Sequence, residues 1–421
     1  MKKKRWIYGI VGVVVLLFAG LVYAWSVLAA PIKVFFPEWS STQVSFTFTL
    51  CMMFFCFGGL AGGMLSEKFS PKIILRISAI LFILGFFLAS RANEIIVLYI
   101  GYGAFAGMAS GLAYNSVLSN ITKFFQDCPG LISGILLMGF GIGSFIIGKV
   151  YQIVTPSGEG IDVWRSSFMS FGVILFVIMF ICSFFIRRPS ENELKEITKG
   201  KKDIDKAKKV EAIGIKPSNM IKMTSFWIFF LWATLLSAAG LAVVSQATGI
   251  VMEVGSNISL GRISTVVGLI SIFNGIGRVI FGGLFDKIGR QKTMMLNNGL
   301  FLLAVIILMV ALKSKEFILI IIGFCVTGIA YGGVTPTNSA FVNDFYGSEY
   351  YPINLSLINM NLLIASFGST IAGALYDNSN SYFTTLIAMI IAIIIGTLIS
   401  LMIKKEDPIR ERDKENLIFK L

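Results

Sequence analysis

Histidine is absent from all 421 residues of this chain. A His-based triad, a His metal site and an imidazole proton relay are thereby excluded. Acidic residues are also scarce, 23 Asp and Glu against 36 Lys and Arg. They fall in loops, tails or at the ends of apolar runs, as Glu253, Asp344 and Asp377 do. No carboxylate is thus left at the middle of a run to carry a proton. Cysteine is sparse too: Cys51, Cys56, Cys128, Cys182 and Cys325 lie within or beside apolar runs without paired spacing. Neither a disulfide framework nor a zinc site is indicated, and they read as core packing. Gly141-Ile142-Gly143 lacks the strand-turn-helix setting and the Lys-Ser/Thr of a nucleotide loop. No metal, no cofactor and no nucleophile–base pair is therefore expected, which argues against an enzyme.

What the chain has in abundance is apolar sequence, 56% of residues, with a mean hydropathy of +0.81. Ordinary soluble domains hold roughly 45–50%. An all-α protein of the lipid bilayer follows, with twelve predicted spans at 7–29, 44–65, 73–90, 95–122, 130–152, 166–186, 225–250, 263–285, 293–312, 317–343, 353–376 and 383–403. Met1-Lys2-Lys3-Lys4-Arg5 before an apolar run resembles a secretory signal, but the first run is long enough to cross and is expected to stay. Of the 36 Lys and Arg, seven (Lys33, Arg91, Lys149, Arg165, Arg262, Lys313 and Lys315) fall on the face reached by the odd-numbered loops. With Arg278 set aside, 28 remain on the other face. Both termini are then expected in the cytoplasm of a multi-pass protein of the cell membrane. The net charge of +13 reflects this topology and lipid headgroups, not nucleic acid.

A charged stretch divides the spans six and six. The expected organisation is an N-terminal bundle 1–186, a cytoplasmic linker 187–223, a C-terminal bundle 224–403 and a cytoplasmic tail 404–421. The halves repeat one another. After the second span come Gly63, Glu67 and Lys68; after the eighth come Gly282, Asp286, Lys287, Gly289 and Arg290, with Glu67 and Asp286 219 residues apart. The fourth span supplies Gly107 and Gly111, the tenth Gly328 and Gly332, an offset of 221. Two segments agreeing within two residues are the trace of a parallel duplication. Glycines in the fourth and fifth spans permit close helix contact.

Arg278 stands alone in the otherwise uncharged run from Ile263 to Phe285. Asp286, the next charge, is eight residues on, or about 12 Å of helix, against a hydrocarbon half-thickness of about 15 Å. A guanidinium at that depth costs at least about 2.5–3.5 kcal/mol and cannot escape by losing its proton. An anion or a watery cavity is expected beside it; the structural alternative is pairing with backbone carbonyls at a kink made by Gly275 and Gly277. Asn274, four residues earlier, shares its helical face and can bond the guanidinium or a ligand oxygen without adding charge.

The Gly-x-x-x-Asp-Lys-x-Gly-Arg-x-Lys segment from Gly282 to Lys292 resembles the loop signature of the major facilitator superfamily. The earlier copy is similar but has Glu67 for Asp, Ser70 for Gly and Pro71 for Arg. Tyr23-Ala24-Trp25-Ser26 resembles a segment of the oxalate/formate antiporter family, and Asn274-Gly275-Ile276-Gly277-Arg278 is similar to one shared with monocarboxylate carriers. The resemblance implies a twelve-helix fold of two six-helix halves that expose a site alternately. It implies loop residues Gly63, Glu67, Lys68, Gly282, Asp286, Lys287, Gly289 and Arg290 as a conformational gate. It also implies a pathway lined by the first, fourth, seventh and tenth helices.

Candidate substrate contacts are therefore Arg278, Asn274, Tyr331, Tyr114, Tyr23, Trp25, Leu28 and Asn361, with Ser245, Gln246, Thr337 and Asn338 at lower weight. The antiporters carry a Lys in the eleventh span, and this chain has none there; Asn359, Asn361 or Leu362 takes its place. One buried cation favours a monoanion, of the lactate, pyruvate or formate class, over a dianion. The expected protein is a monomeric secondary carrier of a small carboxylate, coupled to a proton or exchanging a counter-anion. Oxalate/formate exchange or nitrate transport by the same fold remains open, as does, in another class, an anion sensor without transport.

Overall fold

The computed structural model describes residues 5–125, 129–155, 162–190, 193, 214–255, 259–347 and 350–404. Most of the linker and nearly all of the tail lie outside the described residues, as do the side chains of Glu67 and Asp286. Among the described residues there are only helices and connections. Twelve of these helical segments are long and apolar enough to cross a membrane: α1 Arg5–Phe35, α2 Ser41–Leu65, α3 Pro71–Ser90, α4 Ile95–Phe125, α5 Gly134–Tyr151, α6 Val163–Phe185, α7 Thr224–Val254, α8 Gly261–Phe285, α9 Arg290–Ser314, α10 Phe317–Tyr346, α11 Ile353–Ser379 and α12 Phe383–Leu401. In hydrocarbon a chain must satisfy its backbone internally, which is why an apolar chain of this length resolves into helices.

Three helices depart from the even spans of the sequence reading, one of them α4, which widens to a π-helix at Tyr99–Ala106. α1 tightens to a 3-10 turn at Gly20–Ala24 and runs on through Pro31 to Phe35. α11 is interrupted at Met360, between Tyr351–Asn359 and Asn361–Ala365, and its backbone turns more tightly there. Irregular backbone at membrane depth is tolerated where protein or a cavity faces it.

The duplication is visible in the packing. In the N-terminal half α2 crosses α4 with Gly107 against the Cys51 carbonyl and Gly111 against the Phe55 carbonyl. In the C-terminal half α8 crosses α10 with Gly328 against the Ile270 carbonyl and Gly332 against the Asn274 carbonyl. Gly58 on Met108 and Gly277 on Ile329 complete the set. Every pair repeats at 219 residues in α2 and α8 and 221 in α4 and α10, the offsets found in the sequence. A Cβ at any of these glycines would collide with backbone, so the crossings require them.

The halves meet along α5 with α8 and along α2 with α11. At the end carrying the odd-numbered loops this seam is hydrogen-bonded. Thr49 Oγ1 donates to the Ser366 carbonyl at 2.8 Å and lies 2.7 Å from the Thr370 hydroxyl. Gln246 Nε2 reaches Ser45 Oγ, Lys149 Nζ donates to the Gly261 carbonyl at 2.9 Å, and the Ser144 and Ser271 hydroxyls pair. Asp377, at the end of α11, accepts from the amides of Ser41 and Thr42 at 3.1 and 2.9 Å and from Thr42 Oγ1 at 2.6 Å. A carboxylate from one half thus caps the first turn of α2 in the other, where free N–H groups and the helix dipole favour negative charge.

Where the linker begins, Arg187 forks onto Glu193 with both contacts at 2.7 Å, and this holds the Glu193 carboxyl down to about 2.

Candidate functional site

Arg278 lies two turns from the end of α8 and is only 5% exposed. Its Nε donates to Asn274 Oδ1 at 3.0 Å, so the four-residue spacing does set the amide against the guanidinium. Its Nη1 crosses to the other half and donates to the Leu137 carbonyl of α5 at 3.2 Å. The backbone-carbonyl alternative is therefore realised at one nitrogen, at a carbonyl of α5 and not at a kink in α8. Among the described residues no carboxylate pairs with this cation, and no hydrogen bond engages Nη2. A buried charge held by two neutral acceptors keeps most of its unit charge uncompensated.

The guanidinium forms part of the wall of a cavity of about 60 Å³ between the two halves. That is room for roughly four to six water-sized groups. Tyr23 from α1, Tyr114 from α4 and Tyr331 from α10 are in the same wall. The Tyr23 and Tyr331 hydroxyls lie 3.4 Å apart across the seam. Phe140 of α5 is edge-on to Tyr23 and Tyr114 at 5.5 and 5.2 Å, and Phe55 of α2 is edge-on to Tyr114 at 5.2 Å. The result is an aromatic cage with polar tips and one cation, a shape that suits a small ligand with a single charged end. Among the described residues none of the cavity walls is acidic.

Four of the expected contacts are not among the cavity walls: Asn274 is placed behind Arg278, on its Nε, and Trp25, Leu28 and Asn361 lie elsewhere. Trp25 is 1% exposed and packs at 4.6 Å on Tyr102, behind α1. Leu28 is fully buried, and its carbonyl accepts from the Tyr151 hydroxyl at 3.3 Å. Both follow the 3-10 turn at Gly20–Ala24, which leaves Tyr23 as the cavity residue of this segment. Asn361 is buried away from the cavity just past the break in α11, while Asn359 and Leu362 reach it. Asn359 Oδ1 accepts from Asn338 Nδ2 at 3.2 Å.

Sequence reasoning missed Phe55, Gly59, Asn115, Phe140, Ser237 and Thr335, which also form walls. A signal for two of them was available: Phe55 and Gly59 stand 219 residues before Asn274 and Arg278, in the register of the repeat. Of the gate residues, Gly289 has φ +77°, a left-handed turn suited to glycine, and Arg290 donates from Nη2 to the Ile403 carbonyl at 3.1 Å within its own half. Lys68 and Lys287 lie in the last turns of their helices; a Cβ at Gly63 would press on the Asn115 side chain, whereas one at Gly282 would meet only ordinary contact with Pro336.

Two bundles of six spanning helices around a largely aromatic cavity that holds a cation define the architecture of a membrane transporter. The Major Facilitator Superfamily matches residues 12–367 and again 223–417, and the chain belongs to that superfamily. The oxalate:formate antiporter of Oxalobacter formigenes is 26% identical over 407 residues, covering 94% of this chain and 91% of that protein. Monocarboxylate transporter 12 of Mus musculus is 27% identical over 138 residues, 33% of this chain and 27% of that protein. In structure the chain is similar to the xylose transporter XylE of E. coli in a partially occluded inward open conformation, with TM-score 0.71, 15% identity and 96% and 98% of the two chains covered. That likeness carries the fold alone.

Proposed function

We propose that the chain is a secondary carrier that moves small monocarboxylates across the cell membrane by alternating access, and that it performs transport rather than catalysis. One observation carries the reading. Arg278 is buried, without a carboxylate partner among the described residues, in the wall of a cavity between the two halves. A carboxylate completes this site, because guanidinium and carboxylate match as planar forks and the pair strengthens out of water. Both termini are assigned to the cytoplasm from the charge bias, so the hydrogen-bonded end of the seam is extracellular and this conformation faces inward. Bound anion neutralises Arg278 and lets α5 and α8 slide into an occluded state; the empty site resists that closure. Exchange of one anion for another fits the absence of acidic residues among the described cavity walls.

Charge count separates this from oxalate/formate exchange, the activity of the Oxalobacter relative. In α11 the cavity is met by Asn359 and Leu362, neutral side chains, so a second carboxylate would find no second cation. Counterflow in proteoliposomes tests the proposal: labelled formate, lactate or pyruvate accumulates against its own unlabelled anion, with oxalate and nitrate at least tenfold slower. Binding without counterflow by any of the five would leave an anion sensor. Tyr331→Phe removes one hydroxyl of the pair across the seam. Half-saturation for the preferred anion is expected to rise by about 3- to 10-fold, the worth of one neutral hydrogen bond, with little change in maximal rate.

A further inference from the structure

The crossings of α2 with α4 and of α8 with α10 fix a residue-by-residue register between the halves. Cys51 corresponds to Ile270, Phe55 to Asn274 and Gly58 to Gly277. The next step pairs Gly59 with Arg278. Both residues face the same cavity. A Cβ placed on Gly59 would meet nothing within 4 Å, whereas one on Gly58 or Gly277 would strike backbone. Helix packing therefore accounts for Gly58 and Gly277 but not for Gly59. Its carbonyl is held by Asn115 Nδ2, and this bond does not depend on the residue's side chain.

We propose that Gly59 is the specificity-determining position of this site. By putting no side chain where the duplicated half puts its guanidinium, it leaves its own part of the wall both open and uncharged. The open space takes the substituent of a monocarboxylate larger than formate, and the missing charge excludes dianions. This rests on the reading of the cavity as an anion site at Arg278. Physically, a site built on a two-fold repeat offers two equivalent positions for cations, and a dicarboxylate has its two charges at opposite ends. Occupying one position only gives a site with one charged end and one neutral end.

The test uses full-length protein in proteoliposomes with formate, lactate and oxalate. Gly59→Val fills the space without charge, and the ratio of lactate to formate counterflow is expected to fall at least tenfold. Gly59→Lys supplies the second cation, and oxalate counterflow is expected to rise at least tenfold over wild type while formate falls. Oxalate-induced shifts in melting temperature in detergent read binding even where a variant is locked in one state. Gly59→Ala, with threefold smaller effects of the same sign, serves if the larger side chains prevent folding. Equal losses for lactate and formate with Val or Ala, or no oxalate shift and no oxalate counterflow with a folded Lys variant, would overturn the proposal. Wild-type counterflow of monocarboxylates together with either result would leave the carrier assignment intact; its absence in wild type would remove that assignment instead.

Discussion

Arg278→Ala is expected to lower monocarboxylate counterflow by about two orders of magnitude or more, in protein that still folds. Truncating one member of a buried, hydrogen-bonded charge pair costs about 2–5 kcal/mol, and the carboxylate of the cargo would lose its only cation among the described cavity walls. Folding is not expected to suffer in proportion. The guanidinium has two neutral partners, Asn274 Oδ1 and the Leu137 carbonyl, and no ion pair among the described residues. Removing a buried charge that is only half satisfied relieves desolvation, so the melting temperature of the empty protein is expected to hold or rise. Arg278→Lys keeps the charge but loses the planar fork and the contact through Nε, which predicts a loss of about tenfold, chiefly in half-saturation. Parallel measurement of counterflow and of melting temperature with and without anion separates the roles. Undiminished uptake in the alanine variant would sink the proposed function, and a collapse in stability without anion would make Arg278 a structural residue.

Asp377→Ala is expected to shift the balance of the two faces. In the present conformation Asp377 bonds across the seam, with three donors at the start of α2. Separating the halves at this end breaks all three together. Hydrogen bonds to a carboxylate are each worth about 1.5–3 kcal/mol when buried. Asp377 is exposed, so a combined contribution of about 1–2 kcal/mol is the better figure after solvent screening. The population opened at the odd-numbered-loop end should then rise by about 5- to 30-fold, and Asp377→Asn should fall between, since it keeps one acceptor oxygen. Spin labels on the first turn of α2 and the last turn of α11, read by pulsed dipolar spectroscopy, report this directly. Distance distributions identical to wild type would mean that the other contacts of the seam, Thr49 with Ser366 and Thr370, Gln246 with Ser45 and those of α5 with α8, hold this end closed.

The sequence located interlocks only at the opposite end, in the signature loops. Gly289 shows why a signature is legible: its φ of +77° requires glycine whatever surrounds it. The Asp377 cap is invisible in sequence, because an aspartate near a span end reads equally as topology. It becomes a latch only when α11 of one half is laid against α2 of the other.

The same division runs through the candidate site. Arg278 and Asn274 were readable because depth in the bilayer and four-residue helical spacing are local properties of one apolar run. Tyr23, Tyr114 and Tyr331 were readable as membrane aromatics with polar tips, in helices that the family resemblance made pathway helices. Trp25 shares a motif with Tyr23 and Leu28 follows it within the same apolar run, so sequence alone groups the three. The 3-10 turn at Gly20–Ala24, formed where Gly20 presses against the backbone of Phe140, decides which of the three meets the cavity. Asn359 and Asn361 could not be told apart by counting, since the break at Met360 shifts which side of α11 faces inward.

By itself, then, the sequence determined that the chain crosses a bilayer as helices, that its two halves are copies, and that one cation is buried without an anion in its own span. Hydrocarbon enforces these things on any chain of this composition, because backbone groups and charges have no solvent there. The tertiary structure decided what surrounds that cation. A wall made of both halves depends on how α2, α5, α8 and α11 meet, and on glycines whose only role is to let two backbones touch. Contacts of that kind join residues hundreds of positions apart, and no local period or charge count contains them.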